Sequence, residues 1–162
     1  MKIEYYEQIN STHKYAQTIA QDLESDRKVI IADEQTDGIG TKGRSWYTGK
    51  GNNIAMTIIL HTKRKINELK DLPIEVAKIV QKSIKELYNY NLEIKPPNDL
   101  MLNNKKICGI LTQTNTQGEK INYILISMGF NVNETRFSEE VKDIATSLKN
   151  EYKKEFDRKE II

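Results

Sequence analysis

Apolar positions along the chain follow two rhythms, and the points where one gives way to the other mark out the elements. Ile3 to Ile9 fits a short strand, and Ser11 or Thr12 then offers an N-cap to an amphipathic helix through about Leu23. Lys28 to Glu34 contains Val29-Ile30-Ile31-Ala32, the run of a buried strand, and Asn53 to His61 alternates and branches like another. Ile74, Ala77, Val80, Ile84 and Leu87 recur at helical spacing, which predicts a helix over about Asp71 to Tyr88, entered through Pro73. Leu92 to Lys95 is a short strand stopped by Pro96-Pro97. Asn103-Asn104 signals a turn between Leu100-Met101-Leu102 and Lys106 to Gln113, and Thr116-Gln117-Gly118 another before Tyr123 to Val132. These segments form an antiparallel run of strands. Ser138 to Tyr152 reads as a helix with Val141, Ile144, Ala145 and Leu148 on one face. Asp157 with Glu160 resembles a capping box, opening a helix whose first apolar pair, Ile161-Ile162, ends the sequence. The organisation expected is one domain over residues 1–156, followed by the start of a truncated helix at 157–162.

The stretch from Thr36 to Gly51 breaks both rhythms, being rich in Gly, Lys and Thr with too few apolar residues to pack as helix or strand. Long ordered loops in compact domains are usually functional, so candidate chemistry starts here. Composition narrows the classes. A chain of 162 residues with 38% hydrophobic and 30% charged residues and a formal charge of +2 fits one ordinary soluble domain. The lysines are dispersed and matched by nearby Asp and Glu, which gives no case for nucleic-acid binding. No run nears the roughly 18 apolar residues of a membrane span, and Met1-Lys2-Ile3-Glu4 lacks the apolar core of a signal peptide. A cytoplasmic protein with no membrane partner is expected. Cys108 is the sole cysteine, which excludes an intrachain disulfide and a Cys-based metal cluster.

Gly38-Ile39-Gly40-Thr41-Lys42-Gly43 has the spacing of a dinucleotide fingerprint, but that site needs its glycines to open a helix. Ser45 to Gly51 has no helical period, and a strand follows. A phosphate-binding P-loop fails likewise, because Arg44 occupies the lysine position. Two readings stay open: a solvated surface loop, or a flexible loop whose Lys42, Arg44, Lys50 and backbone N–H groups grip phosphates and fold over an intermediate. In Lys95-Pro96-Pro97-Asn98-Asp99-Leu100 the prolines fix the backbone that presents Asn98 and Asp99, either as a turn or as a preset site. Lys106 opens the apolar strand Ile107-Cys108-Gly109-Ile110-Leu111, where Gly109 points to a close approach by a ligand or another backbone, or to a bulge.

Ala32 to Trp46, Lys95 to Leu111 and Gly129 to Asn133, in this order, closely resemble the catalytic domain of biotin protein ligases, the biotin-[acetyl-CoA-carboxylase] ligases. The likeness runs from Ser11-Thr12 to Ala145-Thr146-Ser147-Leu148. It implies an α+β fold, a mixed and largely antiparallel sheet with helices packed on one side, of the class II aminoacyl-tRNA-synthetase-like type shared with lipoate ligases and octanoyltransferases. It also implies a two-step reaction in which biotin and ATP, with Mg²⁺, give biotinyl-5′-AMP, and a lysine of the biotin carboxyl carrier protein of acetyl-CoA carboxylase then takes the biotin. By this resemblance the catalytic residues are Lys106, Arg44 and Asp99, and biotin is bound by Ser11, Thr12, Gln35, Gly38, Lys106 and Gly109. ATP and the adenylate fall to Arg44, Trp46, Asn98 and Lys106, with no protein ligand assigned to a metal. Strands around Ile110 and Met128 would supply an apolar slot for the valeryl chain. Family members often form homodimers through sheet edges.

The chain departs from the family at several places. Ile39 and Thr41 stand where arginines are usual, so the loop holds fewer cations to retain biotinyl-AMP. Pro96 replaces a tryptophan, and His13 replaces an asparagine and carries no assigned role. The sequence has neither the small β-barrel that usually follows nor an N-terminal DNA-binding domain, so a short form without repressor activity is expected. Two other readings remain: a truncated, non-catalytic remnant or biotin-binding module, and a lipoate ligase or octanoyltransferase using Cys108 as a thiol nucleophile.

Overall fold

A computed structural model describes all 162 residues. The strands are β1 (Lys2–Ile9), β2 (Lys28–Gln35), β3 (Ile54–Leu60), β4 (Glu93–Lys95), β5 (Asp99–Leu102), β6 (Lys105–Gln117) and β7 (Lys120–Phe130). The helices are α1 (Thr12–Ile19), α2 (Leu72–Tyr88), α3 (Leu148–Tyr152) and α4 (Arg158–Ile161). All seven strands join one sheet in the order β1-β2-β3-β7-β6-β5-β4. Only β1 and β2, joined through α1, run parallel; every other neighbouring pair is antiparallel. The antiparallel run of strands is the one the patterning predicts, and the α+β class with its largely antiparallel sheet is the one the resemblance implies.

Strand alternation splits the sheet into two unlike faces. Ile54, Ile110, Met128 and Phe130 point to one face and form the main core with Ala77 and Ile84 of α2, Leu148 of α3 and Phe156. Ile161 of α4 packs against the same cluster, so α2, α3 and α4 share a side. The residues between them face the other way, where Ile30, Ile59, Tyr123 and Leu125 pack on Ala16 and Ala20 of α1. The first helix therefore covers part of the opposite face.

The predicted helix over Ser138 to Tyr152 is not formed as such. Turns occupy most of 139–144, and only Leu148–Tyr152 is helical, with Ser147 as its N-cap. The cause is the edge of β6: Lys106 N donates to Ile144 O at 2.7 Å and Thr146 N donates to Lys106 O at 2.9 Å. A segment bonded sideways to a strand cannot close its own helical ladder. The helix expected to reach Leu23 ends at Ile19, and Asp22 caps a separate 3₁₀ turn over Leu23–Ser25. The β6–β7 hairpin runs further than its apolar part predicts, turning at Gly118 with φ +63°.

Residues 157–162 do form the single turn that the capping pattern anticipates, and a contact far away in sequence holds it. Arg158 Nη2 lies 2.6 Å from Asp33 Oδ1, Arg158 Nη1 donates to Asn53 O at 3.0 Å, and Tyr5 also donates to Asp33. Burial alone would raise the Asp33 carboxyl, but the hydrogen bonds from Tyr5 and Arg158 outweigh it and hold it below its ordinary value. Replacing Arg158 by Met should destabilise the fold by about 1–3 kcal/mol, the worth of charged hydrogen bonds in a half-buried setting, as read from denaturant midpoints.

Candidate functional site

On the face shared with α1 the strands carry small and polar residues. Gly109 pairs with Gly129 and Leu111 with Ser127 across β6 and β7, and Met56 to Ile58 of β3 run alongside, with Thr57 beside Ser127. A Cβ at Gly129 would lie 2.2 Å from the Trp46 indole, so that position requires glycine while the ring is there, and one at Gly109 would lie 3.0 Å from it, a tight contact that the ring would have to ease. The expectation that Gly109 marks a close approach is met by Trp46.

The loop that carries Trp46 is hydrogen-bonded within itself. Gly40 N donates to Arg44 O at 2.7 Å, Trp46 N donates to Gly38 O at 2.8 Å, and Gly51 N donates to Asp33 O at 3.2 Å. Gln35 bridges to Thr48 and Ile39 to Ser45, which makes the segment a flap anchored at both ends on β2. A Cβ at Gly38 would meet Trp46 O at 2.4 Å, so the flap depends on that glycine.

Between flap and sheet lies a cavity of about 30 Å³, far smaller than a bicyclic ligand. Among the residues that line it, Thr12, His13, Gln35 and Ser127 are polar, Trp46, Gly109, Leu111 and Gly129 are apolar or bare, and Lys106 is the one cation. No carboxylate lines it. Ile110 and Met128 touch it, but their side chains belong to the α2-side core, so the apolar slot comes from Trp46, Leu111 and the glycines instead.

Lys106 leaves β6 beside a register shift and turns its ammonium onto this face. Its Nζ lies 2.7 Å from Asp99 Oδ1 and 5.3 Å from the centroid of Trp46. The approach to Asp99 is outside good hydrogen-bond geometry, so the attraction is chiefly Coulombic. Asn98 is pinned to β6 by exchange with Ile110: Ile110 N donates to Asn98 O at 2.9 Å, and Asn98 Nδ2 donates to Ile110 O at 2.8 Å.

At the other end, Gln35 Oε1 accepts from Thr12 N at 2.9 Å and from Thr12 Oγ1 at 3.2 Å. Thr57 joins Thr12 and Ser127, at 3.0 and 2.8 Å, and His13 joins Ser127 and Gln113, each at 2.7 Å. Burial pushes the His13 ring below its ordinary pKa of 6.5, against the hydrogen bond to Gln113, so it is held neutral.

Of the residues singled out from sequence, Thr12, Gln35, Trp46, Asn98, Lys106 and Gly109 converge on the cavity, with Asp99 behind Lys106 and Gly38 under the flap. Ser11 does not line it; its hydroxyl caps α1 at Lys14 N, 3.4 Å away. Arg44 is exposed on the flap, outside the cavity. His13, Thr57 and Ser127 were missed as site residues; their partners lie 45 to 114 residues apart, and no local motif announces them. Cys108 is fully buried on the opposite face, where burial raises its thiol and keeps the nucleophilic form away from the site.

Residues 5–131 match the Biotin/lipoate A/B protein ligase family, and the chain belongs to it. It is 33% identical over 160 residues to "Bifunctional ligase/repressor BirA" of Bacillus subtilis (strain 168), covering 98% of this chain and 49% of that protein. It is 30% identical over 133 residues to the biotin–protein ligase of Homo sapiens, covering 78% of this chain and 18% of that one. The solved "Biotin protein ligase from Aquifex aeolicus in complex with biotin and ATP" superposes with a TM-score of 0.82 at 26% identity, over 99% of this chain and 65% of that chain. The chain thus spans about half the length of the Bacillus relative it matches.

Two outcomes follow from this geometry. Trp46 is the only tryptophan, so Gly129→Ala, which must displace the ring, should shift the emission toward that of exposed indole; unchanged emission would contradict the packing. Because folded His13 refuses a proton that the unfolded chain accepts, stability should be full above pH 6.5 and decline as pH falls below it. Denaturant midpoints between pH 7.5 and about 5.5 should therefore slope for the wild type and flatten in His13→Asn.

Proposed function

We propose that this chain is the catalytic core of a biotin protein ligase that activates biotin with ATP to biotinyl-5′-AMP and passes it to a lysine of a biotin carboxyl carrier protein. The observation that carries this reading is the polarity of the cavity along the β6–β7 hairpin. Hydrogen-bonding groups crowd one end, a tryptophan and bare glycines form the middle, and a single cation stands at the other. One step of two residues, roughly 7 Å, separates the level of Ser127 from that of Gly129. A ligand with a polar ring, a short apolar chain and a terminal carboxylate is the complement of that sequence of surfaces, and biotin has this form.

In the first step a biotin carboxylate oxygen attacks the α-phosphorus of ATP while the bond to pyrophosphate breaks. Both reactants are anionic, so the task is placement and neutralisation, and Lys106 is suited to lie between them. Asp99 holds the ammonium in position before substrate arrives. Mg²⁺ enters as part of the ATP complex, a pattern that needs few protein ligands. In the second step the carrier lysine attacks the carbonyl of the mixed anhydride and AMP departs, with Lys106 steadying the charge on the leaving phosphate.

The lipoate ligase or octanoyltransferase reading is weakened by the burial of Cys108 and by a cavity end rich in hydrogen-bonding groups that a dithiolane or alkyl chain cannot use. Lys106→Ala should lower biotin-dependent pyrophosphate release at least ~10²-fold while changing stability by under about 1 kcal/mol, since the Asp99 pair is partly exposed. Wild-type release from that variant would remove the role given to Lys106. Calorimetry should show heat for biotin and none for lipoate or octanoate, and absence of any biotin signal with or without MgATP would sink the ligase assignment.

A further inference from the structure

The polar end of the cavity is one connected network, and its proton order can be read from its oxygen acceptors. Gln113 Oε1 accepts from Gln17 Nε2 at 2.8 Å and faces His13 Nε2 at 2.7 Å. An amide oxygen has no proton to give, so the neutral imidazole carries its hydrogen on Nε2. His13 Nδ1 is then a bare acceptor, and the Ser127 hydroxyl at 2.7 Å donates into it. Ser127 has only that proton, so toward Thr57 Oγ1, 2.8 Å away, it accepts. Thr57 shares its own proton between Ser127 and Thr12 Oγ1 at 3.0 Å, and Thr12 donates to Gln35 Oε1 at 3.2 Å.

Every hydroxyl proton on this floor is therefore committed within the protein. Ser127 and Thr12 line the cavity, and each keeps one lone pair uncommitted within the network. Hydroxyls ordered in this way accept hydrogen bonds and offer none. Without His13 the Ser127 proton would be free to turn toward the ligand, and its hydrogen would then face, and repel, a ligand N–H group.

We propose that His13 is a positioning residue that, by holding its proton on Nε2, orders the hydroxyls of Ser127, Thr57 and Thr12 so that the pocket selects a head group bearing N–H donors. The inference deepens the ligase reading and rests on it: the cyclic urea of biotin carries two such donors, whereas lipoate and octanoate carry none. The role belongs to the tautomer and to the hydroxyl chain rather than to direct chemistry on the substrate.

Two measurements test it. The chain has only two histidines, so nitrogen-detected NMR of the imidazoles can assign His13 without crowding. The Nε2–H tautomer in the ligand-free wild type supports the proposal, and the Nδ1–H tautomer overturns it. In biotin titrations, His13→Asn keeps an oxygen acceptor near the Nδ1 position and should bind within about threefold of wild type. His13→Leu removes the acceptor and should weaken biotin roughly tenfold, the loss expected for one misdirected hydrogen bond, with the change in the biotin KM rather than in kcat. Equal losses in the Asn and Leu variants, or none in either, would overturn the role. Ser127→Ala, which deletes the hydroxyl that His13 orders, should reproduce the Leu result and make a second substitution at His13 silent. Failure of the wild type to bind biotin would strike the ligase reading itself, while the tautomer measurement would still decide the order of the floor.

Discussion

The site depends on two paired positions of one sheet having no side chain. Gly109 and Gly129 face each other across β6 and β7, and the space above them is where the Trp46 indole lies. Residues one step along the same strands point the other way and build the main core, with Cys108, Ile110, Met128 and Phe130 packed against the α2 side. Each such buried side chain contributes about 1.5–3 kcal/mol. The hairpin thus draws its stability from one face and leaves the other carved. A side chain at Gly129 would take the space of the ring itself, and one at Gly109 would crowd its edge.

The indole is not fully satisfied in that seat. Its Nε1 is buried without a hydrogen-bond partner, which costs about 1–3 kcal/mol, while the ring gains packing on the sheet and the attraction of Lys106. Anchors at the flap's base limit how far the ring can go. Gln35 and Thr48 pair, Gly51 binds back to Asp33, and Asp33 is itself clasped by Arg158 and Tyr5. The last turn of the chain therefore fixes the strand from which the flap departs.

Periodic segments were legible from sequence because burial on one side of a helix or strand leaves its period in the residues. The long helix from Leu72 to Tyr88 and the buried run of Val29 to Ala32 are of this kind. The helix expected over Ser138 to Tyr152 had a valid local pattern, but the backbone of Lys106 takes Ile144 and Thr146 for its own pairing, a contact that no local pattern encodes. The site was legible in proportion to its motifs. Lys106, Gly109 and Trp46 sit in recognisable order, whereas the histidine–hydroxyl floor is assembled from α1, β3, β6 and β7 and leaves no mark in any one of them. Even the resemblance that named the neighbours of His13 gave it no role; the role comes from the distances.

Ile39 and Thr41 both line the cavity, so their lack of charge is felt inside it and not merely on the flap's surface. Lys106 is then the one positive charge within, while Lys42, Arg44 and Lys50 stand exposed on the flap. On the ligase reading this division matches the charges of the products. A biotinyl-adenylate carries a single phosphate charge, which the one half-buried ammonium can balance, and pyrophosphate carries several, which favour the exposed cations and the solvent beyond them. On that reading, retention of the intermediate rests on Lys106 and on the packing of Trp46 over the glycines. Packing is little screened by salt, so on the ligase reading a pocket closed this way holds its intermediate by shape more than by charge.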